Sequence, residues 1–419
     1  MHRYSIRIFM LMICLTLFFA TGYASHVSVG IDVLLNSEYV EILRNKRIGL
    51  ITNHTAINHH LLPTRELLKN NAQKFNYTLA ALFAPEHGIT GSAHSWDSIQ
   101  DERDSDGIPI YSLHGKTMRP TAKMLKEIDI LLYDIQDIGA RSYTYITTLF
   151  YAMEEAAKHG VPVMVLDRPN PINGIVVDGP MLEDKWRSIV GYINVPYCHG
   201  MTIGELAQFF NAEYKIGCAL TVIPMKNWMR RMSFQDTGLA WIPTSPNIPE
   251  QTTPFYYPMT GLLGELELVS IGIGYTLPFK IIGAPWINAE EFVKHLNAQK
   301  FPGVHFMPFH FRPFFGRFKH EDCQGALIVV DNPLTYKPVC TQYLIIGMLK
   351  SLYPEKFKEA LIASTSRKDM FCKVNGTEKI YRIISEQNHI IWKLRSLIEK
   401  ESEAFLAIRK KYLISSYSD

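Results

Sequence analysis

The sequence has few cysteines and lacks the short motifs that mark common cofactor sites and nucleophilic enzymes. It contains no C-x-x-C pair and no H-E-x-x-H, so no metal site is predicted. It has no G-x-G-x-x-G, and the P-loop pattern ending at Gly115-Lys116-Thr117 is broken because Ile110 stands where its first glycine belongs. No G-x-S-x-G elbow marks a hydrolase serine. The sequence therefore predicts neither a metal nor a cofactor.

Strong net charge and biased tracts are missing as well. The chain has 43 lysines and arginines against 40 acidic residues, and it shows no repeat and no Pro/Ser-rich stretch. A nearly neutral chain is a poor match for nucleic acid or an anionic membrane surface as its main partner. With 419 residues, of which 47% are hydrophobic, it is long enough for two domains with cores of their own.

One apolar run stands apart at the N-terminus. Arg3 and Arg7 precede an apolar run over residues 8–20, which the small-residue site Gly22-Tyr23-Ala24 follows. This order is typical of a signal peptide, so we predict that residues 1–24 are removed and that the mature chain is exported, either to the periplasm or as a secreted protein. The run is short for a membrane span, and no stable membrane anchor is expected after cleavage.

Five cysteines follow this segment, at positions 198, 218, 323, 340 and 372. An odd number without close pairs does not define a disulfide framework. Cys323 and Cys340 could pair in an oxidising compartment. Buried free thiols are the alternative.

Four apolar segments of the first half share one pattern, in which each run ends abruptly in polar residues. Ile48–Ile51 precedes Thr52-Asn53-His54, Leu79–Ala84 precedes Pro85-Glu86-His87-Gly88, Ile128–Tyr133 precedes Asp134-Ile135-Gln136-Asp137, and Val161–Leu166 precedes Asp167-Arg168-Pro169-Asn170. Such runs are typical of strands that are covered on both faces. Amphipathic patterns over 61–74, 121–127 and 145–159 predict helices between them. Alternating strands and helices predict an α/β protein with a parallel sheet, whose carboxyl edge gathers the polar residues into one crevice.

Glu86 is the leading candidate in this crevice. It follows Pro85 at a predicted strand end, in an otherwise apolar stretch. A carboxyl group that is partly shielded from water is suited to general-acid catalysis. The alternative is a glutamate that caps a helix or forms an ion pair.

The other polar residues allow two interpretations each. Asp134, Gln136, Asp137 and Arg141, followed by Tyr143, form either an ion-pair network or a clamp for a sugar or acyl group. Asp167, Arg168 and Asn170, held by two prolines, form either a site wall or a turn. Thr202 and Glu205 fit a capping box that opens a helix to about residue 214, so His199 is the better site candidate there.

At this point several strings resemble the exo-β-N-acetylmuramidase family, once known only as a domain of unknown function. They are Gly49-Leu-Ile-Thr-Asn-His54, Phe83-Ala-Pro-Glu-His-Gly88, Asp134-Ile-Gln-Asp-Ile-Gly-Ala-Arg141 with Tyr143-Thr-Tyr145, Asp167-Arg-Pro-Asn-Pro171, His199-Gly-Met-Thr-Ile-Gly-Glu205, Ser245-Pro-Asn247 and Gly283-Ala-Pro-Trp286. They run in order from about residue 28 to Tyr412. The resemblance thus covers nearly the whole mature chain.

The resemblance implies a Rossmann-like domain over residues 25–252, a smaller C-terminal α/β domain over 253–419, and a cleft between them. It implies a glycoside hydrolase that releases β-linked N-acetylmuramic acid from the non-reducing end of peptidoglycan fragments without a cofactor. Glu86 and Glu265 would be the catalytic carboxylates, since glycoside hydrolysis usually needs two. The substrate-binding residues would be Asn53, His54, His87, Asp134, Gln136, Arg141, Tyr143, Asp167, Arg168, Asn170, His199 and Asn247.

The chain departs from the family pattern in three charged positions. Ile271 replaces an acid, while Ile273 and Cys198 replace arginines. Arginine is the natural partner of a lactyl carboxylate, so these changes suggest altered preference, a peptide-substituted substrate or lost activity. Two alternatives therefore stand beside the hydrolase: a non-catalytic muropeptide-binding protein, and an amidase or esterase that uses a metal or His87.

The C-terminal half changes character from about Thr253. Residues 321–330 predict a strand, 339–353 an apolar helix, and 379–412 one or two amphipathic helices with a solvated face. Residues 306–318 are rich in aromatics and prolines, and we expect them to lie in the core or at a domain interface, with a cleft wall as the alternative.

Overall fold

A mainly parallel sheet forms the first half of the computed structural model, which describes residues 26–93 and 100–418. Its strands are β1 Arg47–Thr52, β2 Thr78–Ala84, β3 Glu102–Arg103, β4 Pro109–Ser112, β5 Ile130–Asp134, β6 Val163–Leu166 and β7 Leu220–Ile223. Their order is β3-β4-β2-β1-β5-β6-β7, and only the β3–β4 pair is antiparallel. All four predicted strands are present, and the predicted α/β class with a parallel sheet is confirmed.

Helices cover both faces of this sheet. They are α1 Gly30–Leu35, α2 Thr64–Phe75, α3 Ala122–Leu125, α4 Thr144–Lys158 and α5 Ile203–Glu213. Successive strand residues enter opposite cores, because side chains alternate along a strand. Leu50, Leu82 and Leu132 belong to one buried cluster, and Ile51, Phe83 and Tyr133 to the other. Burial on both faces explains why these strands read as continuous apolar runs.

The predicted start of α5 is confirmed, and α4 ends one residue before the predicted position. Thr202 accepts a hydrogen bond from the amide of Glu205, whose carboxylate accepts one from the amide of Thr202, so the capping box is formed. Gly160 follows α4 with a φ of +68°, the left-handed conformation that glycine adopts without strain. The loops next to these helices begin and end at these residues. They place polar residues at the carboxyl edge of the sheet.

The second half begins with α6, Thr253–Glu265, directly after the predicted boundary at 252/253. It contains an antiparallel sheet of order β8-β10-β9, formed by β8 Ile281–Ala284, β9 Val304–Phe311 and β10 Cys323–Val330. Its other helices are α7 Ala289–Ala298, α8 Pro338–Leu352, α9 Pro354–Ala363, α10 Lys368–Asn375, α11 Lys379–Glu386 and α12 Ile390–Arg409. Short 3-10 helices occur at Glu38–Leu43, Asp184–Trp186, Phe234–Thr237, Thr365–Arg367, Lys410–Tyr412 and Ser415–Tyr417.

The predictions for this half are met in part. The strand, the apolar helix and the pair of amphipathic helices are confirmed as β10, α8 and α11–α12. The expectation that 306–318 is core is wrong for its second part, because Phe314 and Phe315 are exposed in the loop after β9. That loop instead supplies Gly316 and Arg317 to a cavity wall, which was the alternative. All five cysteines of the described chain are buried free thiols.

The two halves share one buried cluster, to which Tyr133 of β5 and Val339 of α8 both belong. The C-terminal segment also returns to the first half, where the hydroxyl of Tyr417 donates to Asp167 Oδ2 at 2.7 Å. The predicted signal peptide lies outside the described residues. Among the described residues, none of the helices combines the length and the apolar character needed to cross a membrane.

Candidate active site

Glu86 lies at the carboxyl end of β2, two residues after the strand stops. Its side chain is partly exposed, and its Oε2 accepts a hydrogen bond from the hydroxyl of Thr144, the first residue of α4. His87 follows with a φ of +70°, and its Nδ1 lies 2.7 Å from the carbonyl oxygen of Ala93. The turn after β2 is therefore fixed, while the carboxylate keeps access to solvent.

Asn53 and His54 lie beside it, after β1. Asn53 Oδ1 accepts hydrogen bonds from the amide and the hydroxyl of Thr55, at 3.0 and 2.6 Å. His54 Nε2 lies 2.7 Å from the carbonyl oxygen of Pro243, and burial lowers the pKa of the ring. A neutral ring must donate from Nε2 to this carbonyl, which leaves Nδ1 as a buried acceptor. Gly91 packs against the ring so closely that a Cβ would lie 1.9 Å from it.

Asp134 and Arg168 form a buried ion pair at the ends of β5 and β6. Arg168 donates from Nε and Nη2 to the two carboxylate oxygens, and from Nη1 to the carbonyl oxygen of Ile57 at 3.0 Å. Thr64 donates to the same carboxylate. Of the two interpretations of this motif, the ion-pair network is present, but the arginine is Arg168 and not Arg141.

Gln136 and Asp137 continue the loop after β5. Gln136 Nε2 donates to the carbonyl oxygens of Asp137 and Pro169, at 2.8 and 2.9 Å. Asp137 Oδ2 accepts from the amide of Gly139 at 2.8 Å. Burial raises the pKa of Asp137 to about 7, against backbone hydrogen bonds that lower it. Asp137 was not among the substrate-binding residues that the family resemblance implied. It was predicted only as one member of the motif with Asp134, Gln136 and Arg141, for which an ion-pair network and a sugar or acyl clamp were the two interpretations.

Four buried polar atoms at this edge have no hydrogen-bond partner among the described residues: Asn53 Nδ2, His54 Nδ1, Gln136 Oε1 and Asp137 Oδ1. They follow β1 and β5, which are neighbours in the sheet. An unpaired buried polar group costs about 1–3 kcal/mol, so a cluster of them is typical of a site that a polar ligand or water completes. Donors and acceptors are mixed here, as a polyhydroxylated ligand requires.

Arg141 lies in the core and not at the crevice. Its Nη1 donates to the carbonyl oxygens of Pro180 and Val195, each at 2.7 Å, and its Nη2 to those of Val374 and Asn375, at 3.1 and 2.6 Å. Burial lowers the pKa of Arg141 to about 10. The carbonyls of Val374 and Asn375 end α10, and the C-terminus of a helix is a favourable place for a cation. The side chain of Arg141 therefore joins the two halves of the chain. The structure gives it no position from which to touch a substrate.

Asp167, Asn170 and His199 are also buried in structural networks. Asp167 accepts hydrogen bonds from Thr202, Gly204 and Tyr417 within 2.8 Å, and burial raises its pKa to about 7. Asn170 Nδ2 donates to the carbonyl oxygen of Met201 at 3.0 Å. His199 accepts from the Met201 amide at 3.1 Å, and burial lowers its pKa to about 3. These three side chains hold the loops that form the site. Asn247 is exposed, three residues after Thr244, which accepts a hydrogen bond from Tyr143.

A hydroxyl network connects the sheet edge with the second half. Ser142 Oγ lies 2.8 Å from the hydroxyl of Tyr197 and 3.1 Å from that of Tyr257. Tyr143 donates to Thr244 at 2.8 Å, and its ring centroid is 6.3 Å from that of Tyr257. Burial raises the pKa of Tyr257 to about 12, and both Glu265 and Glu86 add to that rise. Tyr257 is therefore within electrostatic reach of both candidate carboxylates. No sequence motif marks Tyr257, so it was not predicted as a site residue.

Glu265 ends α6 and lies on the wall of a cavity of about 300 Å³. Its backbone carbonyl accepts from Arg367 Nε at 2.8 Å, and its Oε2 lies 3.4 Å from Arg367 Nη2. Burial raises the pKa of Glu265, while Arg367 lowers it. Ile271 and Ile273 line the same cavity. Within the described residues, no group of three or more His, Cys, Asp or Glu side chains could hold a metal ion.

Family profiles match almost all of this chain. The profile for Exo-beta-N-acetylmuramidase NamZ, N-terminal, covers residues 48–252, and the profile for its C-terminal part covers 255–414. The chain belongs to the NamZ family. The resemblance inferred from the sequence motifs is thereby confirmed, and the crevice residues described above lie within the N-terminal NamZ region.

Similar proteins support the NamZ assignment over the full length. The peptidoglycan β-N-acetylmuramidase NamZ of Bacillus subtilis is 43% identical over 395 residues, which cover 94% of this chain and 92% of that protein. A crystal structure of a DUF1343 family protein from Bacteroides fragilis has a TM-score of 0.85 at 40% identity, covering 93% of this chain and 99% of the other. A second DUF1343 structure from that organism has a TM-score of 0.68 at 28% identity, covering 94% and 100%.

Proposed function

We propose that this protein is an exo-acting glycoside hydrolase that releases β-linked N-acetylmuramic acid from the non-reducing end of peptidoglycan fragments. The observation that carries the proposal is the partly exposed Glu86, held by Thr144 next to an edge with four unpaired buried polar atoms. The similarity to the NamZ of Bacillus subtilis, a peptidoglycan β-N-acetylmuramidase, supports the choice of substrate.

In this proposal Glu86 is the general acid. It gives its proton to the glycosidic oxygen as the bond from that oxygen to the anomeric carbon breaks. Water supplies the hydroxyl group that the anomeric carbon gains, and its other proton returns to the two carboxylates, so that Glu86 is protonated again for the next turnover. Glu265 is the second carboxylate, and both it and Glu86 raise the pKa of Tyr257. Asn53, His54, Gln136 and Asp137 hydrogen-bond the sugar, because their unpaired atoms offer both donors and acceptors.

The test is the Glu86→Gln variant on a chromogenic N-acetylmuramide. General-acid catalysis contributes about 10²- to 10⁴-fold, so we expect kcat to fall by at least about 100-fold with little change in thermal stability. Glu66→Gln is the matched control, since Glu66 is a half-exposed glutamate on α2 whose carboxylate pairs with Arg65 and Lys69 and with no crevice residue among those described. Unchanged turnover by Glu86→Gln would rule out this role for Glu86.

The second candidate is a non-catalytic muropeptide-binding protein, which the apolar residues Ile271 and Ile273 in the cavity wall favour. Calorimetry with muropeptides distinguishes the two functions. Binding with no detectable release of sugar, in the wild-type protein, would favour the binding protein over the hydrolase.

We also propose that the protein works outside the cytoplasm, as a periplasmic or secreted protein without a stable membrane anchor. The apolar run and the small-residue site before Ser25 support this location. Mass spectrometry of the protein recovered from its native host tests it: a mature chain that begins at Ser25 is expected. An intact N-terminus at Met1 in a cytoplasmic fraction would contradict it.

A further inference from the structure

The cavity beside Glu265 has an apolar wall and a charged rim. Val269, Ile271, Ile273 and Phe279 form the wall, and Glu265, Glu267, Arg317 and Arg367 form the rim. Tyr257 lines the cavity too, and its hydroxyl lies 3.1 Å from Ser142 Oγ, two residues before Thr144, whose hydroxyl donates to Glu86. A group bound here would therefore lie next to the proposed catalytic centre.

Close contacts at two glycines determine the shape of the apolar wall. A Cβ on Gly264 would lie 2.4 Å from Ile271 Cδ1, so the isoleucine packs directly on the end of α6. A Cβ on Gly274 would lie 2.0 Å from the carbonyl oxygen of Phe315, and the amide of Phe314 donates to the carbonyl oxygen of Gly274 at 2.7 Å. The loop after β9 is thus bound to the loop that carries Ile273, which holds Arg317 at the cavity.

The two arginines of the rim differ in their partners. Arg367 Nη1 lies 3.0 Å from Glu267 Oε1, and Nη2 lies 3.4 Å from Glu265 Oε2, so its charge is balanced by two carboxylates. Arg317 makes no ion pair within the described residues, and its guanidinium lies 4.5 Å from the ring centroid of Phe318. The cavity therefore presents one cation that is available to an anionic ligand.

The size of the cavity distinguishes between substituents of a muramic acid. At roughly 30 Å³ for each water-sized heavy atom, about ten such atoms fit, whereas a free lactyl group has about five. The lactyl group would also leave the apolar wall in contact with water. A short peptide attached to the lactyl carbonyl, with small apolar side chains and a terminal or side-chain carboxylate, would fill the space and reach the rim.

We propose that this cavity is a subsite for such a peptide, in which Arg317 pairs with a peptide carboxylate and Ile271 and Ile273 contact its apolar groups. The inference rests on the proposed hydrolase function, and it specifies the substrate as peptide-substituted muramic acid at the non-reducing end. Ile273 has the role of a specificity-determining residue, because an arginine there would enter the space that the peptide occupies.

The experiment compares two chromogenic muramides, one with a free lactyl group and one with a lactyl dipeptide that ends in an acidic residue. We expect kcat/KM to be at least about tenfold higher for the peptide-bearing substrate, a difference of about 1.4 kcal/mol. Arg317→Met should lower the ratio of the two kcat/KM values about tenfold, mainly through KM. Ile273→Arg should lower it as well. Arg312→Met is the control that leaves the ratio unchanged, since Arg312 is exposed and pairs with Asp322 away from the cavity.

A preference for the free lactyl substrate, or a ratio that Arg317→Met leaves unaltered, would overturn the inference. Failure of the proposed function has a different result, namely no turnover of either substrate. In that case calorimetry with the same two compounds decides. Tighter binding of the peptide-bearing compound that Arg317→Met removes would support the subsite, and equal binding would refute it.

Discussion

Replacing Asp137 by asparagine is expected to make the protein more stable at alkaline pH and no more stable in acid. The ordinary pKa of an aspartate is 3.8, and burial raises that of Asp137 to about 7. Between these values the folded protein keeps a proton that the unfolded chain releases. The stability that this proton contributes is complete below pH 3.8 and is lost as the pH rises through 7.

The size of the effect follows from the shift. A displacement of about 3 pKa units at 1.36 kcal/mol each gives a free energy of roughly 4 kcal/mol. The asparagine side chain in the Asp137→Asn variant would keep the hydrogen bond from the Gly139 amide through its carbonyl oxygen, and it could not ionise. The free energy of unfolding of this variant should therefore exceed that of the wild type by up to about 4 kcal/mol at pH 8. Near pH 4 the two should be equal.

Urea denaturation at intervals from pH 4 to pH 8 measures this difference directly. Asp184→Asn is the matched control, because Asp184 is exposed on a 3-10 helix, and its effect should not vary with pH in this way. A gain in stability that is the same at every pH, or a wild type that is the more stable protein at pH 8, would refute the reasoning. The first result would show that the folded protein does not raise the pKa of Asp137, and the second that it stabilises the ionised carboxylate.

Two further substitutions test the core and the crevice. Arg141→Met leaves four backbone carbonyls without their donor, so we expect chemical denaturation to show a free energy of unfolding lower by at least about 3 kcal/mol. Arg141→Lys should have an intermediate effect. A loss below about 1 kcal/mol in Arg141→Met would contradict the bridging role. Gly91→Ala combines a φ of +73° with a Cβ 1.9 Å from the His54 ring, and kcat/KM should fall at least about tenfold as the ring moves. Gly107→Ala is the control for backbone strain alone, because Gly107 has a φ of +81° and open space around it. Equal losses of kcat/KM in the two variants would rule out the role of His54.

The sequence predicted the sheet because its strands are buried on both faces and stop at polar residues. The capping box at Thr202 was predictable for a related reason, since a cap is a local signal within four residues. The pairing at the strand ends was not predictable in the same way. Asp134 meets Arg168, and not the nearer Arg141, because β5 and β6 are neighbours whose ends coincide in the sheet. Sequence separation contains no such information.

Some residues of the candidate site were predictable from the sequence, and others depend on the packing of distant segments. Asn53, Glu86 and Gln136 follow predicted strands, and the structure brings them to one edge. Tyr257 and Arg317 belong to the second half, and only the packing of the two halves brings Tyr257 to the crevice. Sequence motifs gave no information on burial either. Arg141 and His199 lie in motifs of the family and were predicted to bind substrate, yet both side chains are fully buried. A motif shows that a residue matters, but its burial decides whether it can touch a ligand.

The return of the C-terminal segment to the first half has a consequence for biosynthesis. Tyr417 donates to Asp167, while its carbonyl accepts from the amide of Arg230. The amide of Ile414 donates to Glu205 at 2.9 Å. Because these partners lie after β6, in α5 and after β7, the parallel sheet cannot acquire its final contacts until residue 417 has left the ribosome. Folding of the first half therefore depends on residues 414–417 and is completed only after they have been made, which would keep a newly made chain open for the export proposed above.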